Sequence, residues 1–300
     1  MEKRKLGLGL AAAGPVLWGS SGTVAQNLFD HHDISPTWLV AIRMIFAGLL
    51  LLVYGATQHQ DILAVFKNKH DSFKLLLFTL FGMTAVQLTY FMAISTGNAA
   101  TATILQYLSP IMIILYLAIK DWVLPNRIDA LSVILAIIGT ALIVTQGNFQ
   151  SLALPLPAII WGILAAVGAA VYTLMPQQLL RRYGAIAVVG WSMFLGGIIT
   201  GIYYRVWEAT PSMNLSAFIQ ILFVIIFGTM LAYLFFLQSL EYILPTTASV
   251  LGAIEPMSAA ILSFLFLHVS FNLYGIIGIL FVISVTFLQF IYAQKMTQTN

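Results

Sequence analysis

Glu255 and Arg43 are the two charged side chains that fall deep inside long apolar runs of this 300-residue chain. An isolated carboxylate near the middle of such a run costs at least ~2.5 kcal/mol on insertion scales, so Glu255 is expected to have a partner or a role. The chemistry open to it is proton exchange coupled to the movement of a solute, or attraction of a cationic group on that solute. The alternative is a protonated carboxyl hydrogen-bonded to a backbone group, such as a carbonyl freed by Pro256. Arg43 lies about two turns from one end of its run, and its charge is permanent. Three placements are open to it: a salt bridge to Glu255, a hold on an anionic group such as a carboxylate, or snorkelling to the headgroups. If both residues faced one cavity, the pair would suit a zwitterionic amino acid.

Prolines and polar stripes extend the candidate set. Pro110 and Pro256 each remove a backbone hydrogen bond and leave carbonyls free, which membranes tolerate where those groups line a cavity or find new donors. Pro15 and Pro176 are expected to interrupt two further runs. Helical spacing puts Thr103, Gln106 and Pro110 on one face with Tyr107 beside it, and Ser249, Gly252 and Pro256 on a matching one. Thr84, Gln87 and Tyr90, then Tyr233 with Gln238, then Trp18, Ser21, Trp161 and Tyr172 add polar and aromatic positions. Such groups either line a cavity or tie helices together. A pocket of aromatic rings with one carboxylate would also suit an organic cation.

The elements that must hold these residues follow from composition. The chain is 60% hydrophobic and 8% charged, against roughly 25% charged in soluble domains, so it cannot cover a soluble core. A hydrocarbon layer about 30 Å thick needs roughly 20 apolar residues per helix. Ten stretches qualify: Leu6–Leu28, Pro36–Tyr54, Phe73–Ser95, Ala99–Ile119, Arg127–Thr145, Pro157–Leu180, Ala185–Tyr204, Ser216–Leu240, Pro245–Leu267 and Phe271–Tyr292. Pro36, Pro157 and Pro245 suit helix starts, where a missing N–H costs nothing. Lys3, Arg4, Lys5, Lys67, Lys69, Lys74, Lys120, Arg127, Arg181, Arg182 and Lys295 fall on one side of these spans, with only Arg205 on the other. The positive-inside rule makes that side cytoplasmic, with both termini there, and accounts for the net charge of +3 without nucleic acid.

The chain also repeats itself. A shift of 146 residues places Phe81-Gly82 on Phe227-Gly228, Leu88 on Leu234, Thr101-Ala102 on Thr247-Ala248, Leu105 on Leu251 and Pro110 on Pro256. Trp18-Gly19 meets Trp161-Gly162 at a shift of 143. The expected fold is all-α: ten membrane helices as two five-helix repeats, residues 1–150 and 151–300. An odd number of spans per repeat inverts the second, the arrangement from which many secondary transporters build alternating access.

This five-plus-five arrangement, the two Trp-Gly pairs, Leu108-Ser109-Pro110 and Ile254-Glu255-Pro256 resemble the EamA-type transporters of the drug/metabolite transporter superfamily. The resemblance covers essentially the whole chain. It implies a central cavity between the halves, spans five and ten at the periphery, cytoplasmic termini, and export or exchange of small metabolites. The family often ends spans four and nine with a Gly-Glu pair; here those places hold Ile119-Lys120-Asp121 and Leu267-His268-Val269, so no gating role carries over to them.

Other chemistries lack residues. The chain has no Cys, no Gly-rich phosphate loop and no carboxylate dyad within its spans. His31-His32 with Asp33 reads as a solvated loop, adventitious metal binding being the alternative, and no metal or cofactor is expected. An intramembrane enzyme would need a convergent acidic or histidine set, which is missing. The expectation is therefore a multi-pass plasma-membrane transporter, monomeric or a weak homodimer. Its partners would be a small-molecule substrate and the bilayer, with Glu255 as the coupling residue.

Overall fold

In hydrocarbon every backbone N–H and C=O must be bonded within its own segment, and apolar runs of this length satisfy that only as helices. The computed structural model describes residues 2–299 except Val123, Pro125, Ala209, Thr210 and Ser212. The long helices are α1 (Glu2–His31), α2 (Pro36–Thr57), α3 (Lys69–Thr96), α4 (Ala99–Asp121), α5 (Arg127–Thr145), α6 (Leu156–Leu174), α7 (Ala185–Tyr203), α8 (Leu215–Ser239), α9 in two pieces (Pro245–Gly252 and Ile254–Leu267) and α10 (Leu273–Thr299). Among the described residues, nine of these are long and apolar enough to cross a membrane. The tenth is α1, whose 30 residues would span about 45 Å.

Its lower hydropathy has a packing cause. α1 is wedged against α8, α9, α3 and α4, so it carries small residues where other helices carry lipid-facing Leu and Ile. A Cβ at Gly14 would stand 2.9 Å from the Ala232 carbonyl oxygen, and one at Gly19 2.7 Å from that of Glu255. Pro15 does not interrupt this helix, as the sequence had suggested. The packing on both sides holds the turn in place despite the missing N–H. Pro176 does end α6, and a short helix, Gln177–Tyr183, follows it. Pro36, Pro157 and Pro245 stand in the first turns of α2, α6 and α9 as expected.

Helix pairing obeys an inverted pseudo-two-fold. α2 packs on α7 and α5 on α10, while α3 on α6 mirrors α8 on α1, and α4 on α6 mirrors α9 on α1. Local irregularities fall in matching places. π-helical turns occupy Phe78–Thr84 in α3 and Ile226–Leu231 in α8, around the repeated Phe-Gly pair. Asn68 and Asn214, 146 positions apart in the sequence, cap α3 and α8 with their side chains. α4 loses its regular turn after Gln106, and α9 after Gly252, again 146 positions on.

The self-paired helices meet through glycine. A Cβ at Gly48 of α2 would lie 2.5 Å from the Phe194 nitrogen and 2.8 Å from the Gly190 oxygen of α7, both backbone atoms that cannot swing aside. Gly48→Leu is therefore expected to separate α2 from α7 and lower the melting temperature of the detergent-solubilised protein by several degrees. Gly9→Ala, with nothing within 4 Å of the added carbon, should leave it unchanged or raise it slightly. Equal melting of the two variants would show that this contact does not hold the halves together.

Candidate functional site

Pro256 has no N–H to offer the carbonyl of Gly252, one turn back. The Tyr107 hydroxyl, from the broken turn of α4, donates to that carbonyl at 2.5 Å. It also stands 3.4 Å from Glu255 Oε2. Tyr107 thus joins the two helix breaks, and Glu255 sits in the first turn of the second piece of α9, where the positive end of that half-helix favours a negative side chain. Glu255 is half-buried, with its backbone against Gly19 of α1 and its carboxyl beside Tyr107 of α4. Gly252 and Pro256 are buried; Tyr107 and Gln106 are half-buried. Ser249 belongs to the same turn, but its side chain lies outside the described residues.

A second polar chain crosses the molecule beside it. Arg43 of α2 is 5% exposed and donates through Nη2 to Gln87 Oε1 of α3. Its guanidinium also lies 4.1 Å from the centre of the Phe91 ring. Gln87 passes the chain on, donating to the Tyr233 hydroxyl of α8 at 3.3 Å. Gln87 and Tyr233 are 146 residues apart, so the pseudo-symmetry axis runs between these two side chains. The Tyr233 ring packs edge-on against Trp18 at 5.0 Å, and its hydroxyl approaches that of Tyr172. Tyr90 is buried against α1 and shares a hydrogen bond of 2.8 Å with Thr103.

Of the placements open to Arg43, burial rules out snorkelling, and among the described residues no ion pair links it to Glu255. Its Nε, Trp18 Nε1 and Ser21 Oγ are buried without a hydrogen-bond partner among the described residues. Thr103, Tyr107, Glu255, Gly252 and Pro256 form one group, and Arg43, Gln87, Tyr233, Trp18 and Tyr172 the other, with Tyr90 between them. Pro110 borders a separate groove of about 530 Å³ that reaches Asp129 of α5 and Gln289 of α10.

The two faces of the bundle differ. On the face holding both chain ends, Asp71 at the start of α3 accepts hydrogen bonds from Arg182 (2.7 Å) and Tyr183 (2.6 Å) beyond α6. A cavity of about 410 Å³ opens beside them, lined by Asp61, Arg182, Gln238 and Glu241 among others. Lys67 bonds Asp61 there and holds its carboxyl below the usual value. On the opposite face, Asn214 and Gln220 at the start of α8 contact the two ring nitrogens of His32 at the end of α1, at 3.3 and 3.4 Å. Sequence reasoning missed Asp71, Arg182 and Tyr183 because each sits at a helix end among ordinary loop charges. It missed Phe91 because one ring among 20 Phe carries no signal.

Ten helices in two inverted repeats, broken at matched positions around a carboxyl, define a membrane transporter of the inverted-repeat class. The pattern of the EamA-like transporter family matches the chain twice, over residues 5–145 and 156–291. The chain belongs to that family. It is 38% identical to the "uncharacterized inner membrane transporter YicL" of Salmonella typhimurium, over 90% of each chain. It is 26% identical to the "uncharacterized transporter YrdR" of Bacillus subtilis, over 93% of this chain and 89% of that one. A solved crystal structure shares the fold, with a TM-score of 0.68 and 14% identity over 97% of this chain and 98% of the other.

A buried guanidinium with a neutral acceptor depends on that acceptor. Gln87→Leu should cost about 2–3 kcal/mol by stranding the charge, whereas Arg43→Met combined with Gln87→Leu should recover most of the loss. Thermal melting of the two singles and the double closes the cycle; additive losses would mean that the two side chains do not depend on each other.

Proposed function

We propose that the protein is a secondary transporter of the inner membrane that moves a small organic metabolite by alternating access, as an exporter or exchanger. Glu255 serves as the group that exchanges a proton for the substrate's amine. The observation that carries this reading is the placement of Glu255: half-buried inside the bundle, at a helix break, beside the Tyr107 hydroxyl and joined to no described cation. A carboxyl so placed can take up a proton in one access state and give it up in the other as a cationic group arrives. The excess of Lys and Arg on the face with both chain ends orients that face to the cytoplasm.

Substrate class follows from the polar groups inside the bundle. The bundle interior holds both a guanidinium, Arg43, and a carboxyl, Glu255, which favours a compound carrying both an amine and a carboxylate, an amino acid or a relative of one. An organic cation is the second reading, supported by the bond from Arg43 to Gln87 and its stacking on Phe91, which occupy the guanidinium already. Flux into liposomes containing the purified protein, with and without a pH gradient, separates the two when amino acids are run beside organic cations. Glu255→Gln is expected to lower gradient-driven flux at least tenfold while the protein still folds. Unchanged flux and an unchanged response to the gradient would remove Glu255 from coupling. Turnover of a lipid without vectorial movement would replace transport with enzyme chemistry.

A further inference from the structure

The broken turns of the two repeats match in position but not in side chain: Gln106, Tyr107 and Ser109 of α4 correspond to Gly252, Ala253 and Glu255 of α9. The breaks fall at the same place, and Pro110 and Pro256 each remove the N–H that would have met a carbonyl one turn back, Gln106 in α4 and Gly252 in α9. The Gly252 carbonyl is supplied by the hydroxyl of Tyr107. The residue in the second repeat that corresponds to Tyr107, 146 positions on, is Ala253. Its methyl group has nothing to donate, so the second repeat cannot do for Gln106 what the first does for Gly252.

From this mismatch we infer that Tyr107 is a positioning residue that acts through the Gly252 carbonyl and holds the transporter in the access state seen here. The inference rests on the alternating-access reading proposed above. In an inverted repeat the second access state arises when each half takes up the other's conformation. The contact between Tyr107 and Gly252 then becomes a contact between Ala253 and Gln106, and one hydrogen bond in the membrane interior has no replacement. The same hydroxyl reaches Glu255, so the carboxyl changes its surroundings at the step that breaks the bond. This asymmetry between the repeats thus ties the access state to the environment of the coupling group.

The test uses a property of the chain itself: it contains no cysteine. Spin labels on Gln60→Cys and Glu241→Cys report the separation of the halves on the face with both chain ends. Labels on Asp33→Cys and Met213→Cys report the opposite face. Double electron–electron resonance in liposomes at two pH values gives the population of each distance. Tyr107→Phe is expected to move the ratio of the two populations roughly three- to tenfold toward the state not seen here, the value of one hydrogen bond of ordinary net strength. Pro256→Ala restores an N–H to Gly252, so adding Tyr107→Phe to it should move the ratio no further. A wild-type ratio in Tyr107→Phe, or an equal shift with and without Pro256, overturns the role assigned to the hydroxyl. If the wild-type distances fail to respond to pH or to any substrate that the flux assay identifies, alternating access itself falls and Tyr107 falls with it. Response in the wild type without an effect of Tyr107→Phe removes Tyr107 alone.

Discussion

A carbonyl oxygen in hydrocarbon has no water to turn to, and the need to give it a donor governs this structure more than any single contact. Ordinary helix meets that need over most of the chain. Pro256 suspends it at one carbonyl, in the middle of α9, and the donor then has to come from another helix. Tyr107 supplies it, so α4 and α9 are placed at their breaks. With α9 placed, Glu255 is placed, and α1 must be slim enough at Gly19 to lie against it. The absence of a side chain at Gly19 traces back to this one requirement.

The two buried charges are handled by different means. Arg43 cannot lose its proton, so the fold surrounds it with a neutral acceptor, Gln87, and an aromatic face, Phe91. A carboxyl can become neutral, so Glu255 can be left with a single hydroxyl beside it. The permanent charge is fixed within the scaffold while the variable one keeps few partners, which is the division of labour expected where protons or cations come and go.

Much of the helical order was legible in the chain because it follows from length and apolarity alone. Pro36, Pro157 and Pro245 marked helix starts for a local reason, and they stand in first turns. The 146-residue shift looked weak when counted as identities, yet it locates the π turns, the capping Asn68 and Asn214, and the breaks after Gln106 and Gly252. What failed was anything decided by a neighbour. Pro15 reads like Pro176, but α1 runs through the first, packed against α8 at Gly14, while α6 ends before the second. The depth of Arg43 allowed snorkelling until α3 brought Gln87 and Phe91 to it. The partner of Glu255 was expected to be a charge or a backbone group. It is a tyrosine that serves the backbone at the same time.

The faces of the bundle carry a last consequence. Asp71, Arg182 and Tyr183 clasp one mouth with charge, while His32 meets two neutral amides at the other. The counterpart of Asp71 in the second repeat is Ala217, so the clasp was never duplicated or has been lost. Dissolved ions weaken a partly exposed ion pair and leave neutral amide contacts nearly alone. The Asp71 contact is therefore the more salt-sensitive of the two, and the two ends of a molecule built from near copies are told apart by a carboxylate that the second repeat lacks.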